Sequence, residues 1–110
     1  MAQAFKRKTS QGIGTSQVQL GGYTVAAGVT ATIFGLTLCN ISGSDITVSL
    51  WHWDGAVTTK IVSGAPIKAG GTLVPIGWAQ RIALQPGDQI FASASAASSV
   101  DAIMSVLELS

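Results

Sequence analysis

Two uncharged runs separated by four polar residues constrain this chain more than any other feature. Residues 30–41, TATIFGLTLCNI, are rich in β-branched side chains and carry no charge. Ser42-Gly-Ser-Asp45 interrupts them, and Ile46-Thr-Val-Ser-Leu-Trp-His-Trp53 then alternates with a period of two until Asp54-Gly55. Successive side chains of a strand point to opposite faces, so Ile46, Val48 and Leu50 share one side, and Thr47, Ser49, Trp51 and Trp53 the other. Turn-forming residues between two such runs predict an antiparallel hairpin with a four-residue connection.

The rest of the chain repeats the theme in shorter pieces. Residues 18–20 and 23–25 flank Gly21-Gly22, which reads as a two-residue turn. Residues 57–62 alternate again, and Ser63-Gly-Ala-Pro66 is expected to break them because proline cannot donate to a ladder. Pro75 inside 72–76 marks an edge strand or a bulge. A short run at 81–84 precedes the turn Gln85-Pro-Gly-Asp88, and residues 89–95 and 101–109 close the series. The last run is apolar on both sides, with Ile103, Leu107 and Leu109 against Ala102, Met104 and Val106. Such a strand is buried on both faces, or on one face by the core and on the other by a partner. About eight short strands without a helical stripe predict an all-β fold, a single β-sandwich of the jelly-roll or immunoglobulin-like kind over 18–110.

Residues 1–17 differ in character. They hold half of the chain's positive charge in Lys6-Arg7-Lys8 and little apolar content, which predicts an extended N-terminal arm, mobile when alone. Three roles stay open for it: a tail without function, a segment that orders against a neighbouring subunit, or a weak nucleic-acid contact through its three cations.

Charge decides what surrounds this domain. Charged residues are 10% of the chain, against about 25% in an ordinary soluble domain, and the net charge is +1. No global field attracts nucleic acid or an anionic membrane, so neither is an expected partner. A surface this poor in ions repels its own copies weakly, which favours association into a homo-oligomer such as a trimer or ring. The single Cys39 rules out an internal disulfide and is expected as a small buried residue. The cations at 6–8 precede polar residues rather than an apolar core, so no signal peptide is expected. The uncharged stretch 23–41 is threonine-rich and reads as strands rather than a membrane span.

Little in the sequence suggests catalysis. His52 is the one histidine and there is no cluster of cysteines, so no metal site is expected, and His52 reads as a packing residue at a strand end. Asp45, Asp54 and Asp88 fall in turns, where aspartate accepts local backbone N–H groups, and no pair of carboxylates is spaced for acid–base work. No catalytic, metal or cofactor residue is assigned, and the chain is not expected to be an enzyme. The candidate interface residues are Lys6, Arg7, Lys8, Trp51, Trp53 and Trp78. Tryptophan is over-represented at interface anchors, so the outward pair Trp51 and Trp53 suits a partner contact. Packing under a loop of the same chain and a carbohydrate platform in an adhesion module are the alternatives.

Several segments also resemble a family of small virion proteins of tailed bacteriophages. They are Lys8-Thr-Ser-Gln-Gly-Ile-Gly-Thr15, Gly64-Ala-Pro-Ile-Lys-Ala-Gly-Gly71, Leu84-Gln-Pro-Gly-Asp88, and the end of the chain from Ala97-Ser-Ser-Val-Asp101 to Ser105-Val-Leu-Glu-Leu-Ser110. The resemblance implies a β-sandwich accessory protein without enzymatic activity, located in the virion and assembled in the host cytoplasm. It implies a capsid decoration or cement protein contacting the major capsid protein, or a neck or tail accessory protein at the head–tail junction.

Overall fold

The computed structural model describes residues 3–77 and 81–110. These form nine strands: β1 (Gln3–Ile13), β2 (Val18–Thr24), β3 (Thr30–Asn40), β4 (Ile46–Trp53), β5 (Thr58–Ile67), β6 (Thr72–Ile76), β7 (Ile82–Leu84), β8 (Gln89–Ala94) and β9 (Val100–Leu109). One sheet has the order β1-β9-β3-β6, with β7 also paired to β3, and the second runs β2-β8-β4-β5. All pairings are antiparallel, and the two sheets pack face to face as a β-sandwich. Among the described residues no helix is long and apolar enough to cross a membrane.

Alternation builds the core as the sequence predicts. Ile46, Val48 and Leu50 point inward from β4, and Ala102, Met104 and Val106 point inward from β9. In β3 an extra residue at Phe34 shifts the register to β9, so Ile33 before it and Leu36 and Leu38 after it all reach the interior. Without that bulge one side of the break would present its apolar row to the wrong face.

The predicted hairpin does not form. β3 pairs with β9, β6 and β7, whereas β4 pairs with β5 and β8, so residues 41–45 cross from one sheet to the other. Crossing lets the apolar rows of both strands enter one core, where a hairpin would leave them side by side on a single sheet. Asn40 holds the corner. Its buried Nδ2 donates to the carbonyls of Ser44 (2.8 Å) and Ile67 (3.0 Å), and its Oδ1 accepts from the backbone N–H (2.9 Å) and hydroxyl (2.7 Å) of Ser42.

Two other breaks are absorbed into strands. Gly21 and Gly22 lie inside β2 rather than in a turn, both at φ +61°, and the ladder to β8 slips there. Gly21 is also where β2 meets β1: a Cβ at this position would lie 2.4 Å from the Cβ of Lys8. β5 runs through Gly64 to Ile67, and Pro66 is tolerated because β5 is an edge strand. β6, with Pro75, lies at the far edge of its sheet, as its proline predicts.

Most of the expected arm is a strand, β1, beyond the eight or so that the sequence predicts. Residues 3–10 pair one-for-one with β9, from Gln3↔Leu109 to Ser10↔Ala102, and a bulge separates them from Ile13↔Val100. Cys39 also departs from expectation. It is half-buried rather than buried, because Leu38 and Asn40 take the inward positions on either side and turn Cys39 to the outer face.

Candidate functional site

Strand alternation divides the basic triplet. Lys6 and Lys8 lie on the inward side of β1, opposite Val106 and Met104, while Arg7 faces outward opposite Ser105. Lys6 Nζ is 3.0 Å from Glu108 Oε1 on β9, and Lys8 Nζ sits 5.4 Å from the centre of the Tyr23 ring on β2. The Tyr23 hydroxyl donates to Glu108 Oε2 at 2.5 Å, so one carboxylate ties together β1, β2 and β9. Two of the three cations therefore have partners on their own chain.

The same network sets two pKa directions. The hydrogen bond from Tyr23, followed by that from Lys6, holds Glu108 below the usual carboxylate range. Burial, then the hydrogen bond and charge of Glu108, push the Tyr23 phenol well above its ordinary value. A depressed carboxylate contributes stability above its unfolded pKa of about 4.3, and that contribution disappears as pH falls through the lower folded value. A raised phenol does the reverse: its contribution is present below about pH 10 and lost as pH rises further. Urea midpoints of the natural chain and of Glu108→Gln are expected to differ at pH 6 and to converge as the pH is lowered below the usual carboxylate range. Because Lys6 is half exposed, the difference at pH 6 is modest.

The outer face of the same sheet carries an apolar cluster beside Arg7, Ser105 and several threonines. Phe5 on β1, 72% exposed, meets Phe34 of β3 edge-on at 5.8 Å between ring centres. Leu107 lies directly beside Phe5 across the ladder, Ile103 is 45% exposed on the same face, and Val74 on β6 is 56% exposed. β9 thus has one apolar row in the core and a second on the outer face, where Ile103 is exposed in the single chain rather than buried on both sides.

The second sheet carries the tryptophans. Trp51 and Trp53 leave its outer face, and with Phe91 of β8, Gln17 and Thr58 they line a cavity of about 230 Å³. Trp53 and Phe91 meet at 88°, and Lys60 Nζ lies 5.7 Å from the centre of the Trp51 ring. The rings form a notch with walls rather than a flat shelf. Trp78 lies outside the described residues.

His52 points to the inner side at the end of β4, where its Nε2 lies 2.8 Å from Asp88 Oδ2. Asp88 also accepts the N–H of Gln85, and Asp54 accepts those of Ala56 and Val57, so both act within turns as their positions predict. The two backbone bonds lower the pKa of Asp54. Among the described residues no three His, Cys, Asp or Glu side chains gather closely enough to hold a metal ion. Sequence reasoning passed over Asn40, Tyr23, Glu108, Phe5, Phe34 and Phe91. The available signals were an Asn ending an apolar strand, and aromatic residues placed at outward parity.

No protein-family model matches the chain, and no curated protein matches it in sequence. Solved structures do share its architecture. A chain from the disulfide-linked pili of Bacillus endospore appendages aligns at TM-score 0.58 and 13% identity, over 99% of this chain and 87% of that one. A chain of the T13 IBDV viral particle aligns at TM-score 0.51 and 8% identity. That match covers 96% of this chain and 35% of the viral one, so this chain spans about a third of its length. At these identities the likeness is one of fold: a β-sandwich of the kind found in a pilus chain and within a viral-particle chain.

Proposed function

We propose that this chain is a non-enzymatic structural subunit of a bacteriophage virion, a capsid decoration protein that binds neighbouring coat subunits and copies of itself. One observation carries the reading: the outer face of the sheet containing β1, β9 and β3 holds a cluster of apolar side chains, Phe5, Phe34, Leu107 and Ile103, that the chain's own core does not cover. Phe5 is 72% and Ile103 45% exposed there, and exposed apolar clusters of this kind mark contact sites. The aromatic notch at Trp51 and Trp53 on the opposite face supplies a second anchor point. Its walls suit an inserted side chain better than a stacked sugar. Chains of similar fold from a pilus and a viral particle support a role in assembly, and the resemblance to tailed-phage proteins supports the virion.

The purified chain is expected to self-associate in sedimentation runs between micromolar and millimolar concentration. The double variant Phe5→Ser, Ile103→Ser removes two exposed apolar groups, so it should remain folded yet sediment as a monomer. An antibody against the chain should label virions of the phage that encodes it, over the shell for a decoration protein or at the neck for an accessory one. A chain that stays monomeric at millimolar concentration and is absent from those virions overturns the proposal.

A further inference from the structure

The four sheet edges are unequal. β5 carries a bulge and Pro66, β6 is short and carries Pro75, and β2 is interrupted at Gly21-Gly22. Bulges and prolines at an edge discourage pairing with other chains. β1 has neither over residues 3–10, which hold eight consecutive pairs with β9.

β1 is also the strand least committed to the core. Residues 3–7 are exposed, and among 3–10 only Lys8 and Ser10 are even half-buried. What holds this stretch is its backbone ladder, the Lys6–Glu108 ion pair, the Lys8 ammonium over the Tyr23 ring, the Phe5–Phe34 contact, and the Ser10 Oγ that accepts the N–H of Gly21 at 2.7 Å. Beyond the bulge the anchoring changes. Ile13 is buried, its carbonyl accepts the N–H of Ser99 at 3.0 Å, and the carbonyl of Gly14 accepts that of Ala94 at 2.8 Å. Between the two parts sits Gly12, at φ +62°, where an added Cβ would meet nothing. Its N–H donates to Asp101 Oδ1 at 3.0 Å, a bond on the body side of this boundary.

We propose that residues 3–10 are an exchangeable strand: in the assembled protein they leave their own β9 and pair with β9 of a second copy in the same register, with the crossover at Gln11-Gly12. This rests on the reading of the chain as a self-associating subunit. Every contact that holds the strand at home is offered identically by another copy, so exchange loses no interaction and adds a link between subunits. Register is kept because Glu108 awaits Lys6, Phe34 awaits Phe5, and the Cβ-free Gly21 is needed wherever Lys8 passes. The cations also argue against the simpler option of two β1 edges pairing with each other, which would bring two basic triplets together.

Two single-cysteine chains test this, both in a Cys39→Ala background. One carries Arg7→Cys and a size tag, the other Ser105→Cys; the pair is unfolded in urea, refolded together and oxidised with diamide. Neither chain can crosslink these two positions internally. Arg7 and Ser105 are direct ladder partners, and a disulfide needs Cα atoms about 4.4 to 6.8 Å apart, so exchange should give a tagged heterodimer on a non-reducing gel. That band should be lost when Ser105→Cys is replaced by Thr58→Cys on the other sheet. Sedimentation of the same mixtures reads assembly separately. Assemblies with no heterodimer above the Thr58→Cys control overturn strand exchange and leave the subunit reading intact. Monomers without heterodimer overturn both.

Discussion

Replacing Asn40 with alanine is expected to destabilise the chain by about 3 kcal/mol, because it strips the partner from the buried carbonyl of Ile67 and removes three further bonds that shape the crossing. The Asn40 side chain is buried and makes four hydrogen bonds, to the carbonyls of Ser44 and Ile67 and to the N–H and hydroxyl of Ser42. Alanine leaves the Ile67 carbonyl facing a buried site without a partner, while the groups of Ser42 and Ser44 turn to water and lose their fixed geometry. The loss falls on the only covalent connection between β3 and β4, so it affects the alignment of both sheets. For a chain of this size the urea midpoint should drop by about 2 M. Ser42→Ala removes only the hydroxyl contacts and should cost about 1 kcal/mol. If Asn40→Ala unfolds at the same urea concentration as the natural chain, the corner is held by something other than this side chain.

Deleting residues 1–11 is expected to abolish assembly while leaving a folded domain. The cut stops short of Ile13, whose buried side chain and backbone bond to Ser99 belong to the body of the sandwich. The removed segment contributes a ladder and exposed contacts but no side chain to the buried core, so the stability loss should be about 2 kcal/mol. Its loss nevertheless takes away Phe5 and uncovers the edge of β9. Under strand exchange it also takes away the connecting element itself. Thermal unfolding should remain cooperative, and sedimentation should show monomers across the concentration range. Undiminished assembly of the truncated chain would show that β1 carries no contact between subunits.

What the sequence discloses here follows the physics of alternation. A period of two identifies which side chains of β4 and β9 point inward, and Pro75 announces an edge because a missing N–H is harmless there. Sheet membership is a different matter. Ser42-Gly-Ser-Asp45 is equally suitable for a hairpin or for a crossing between sheets, and the choice is made by a buried Asn40 whose bond to Ile67 spans 27 positions of sequence. β1 was hidden for a similar reason. Its polar and charged residues carry no apolar row, and its pairing partner lies at the opposite end of the chain. The parity of Cys39 depended on the bulge at Phe34, which no local pattern reveals. At the candidate interfaces, the outward pair Trp51 and Trp53 was legible from alternation, whereas the notch they form needed Phe91 from a neighbouring strand.

The pairing of Gln3 with Leu109 has a consequence for translation. A ribosome adding about 5 to 20 residues per second takes on the order of ten seconds to make a chain of this length. Throughout that interval the first strand has emerged and its complement has not been made. A copy already finished and released displays one. A nascent first strand can therefore meet the last strand of another copy before its own has been made.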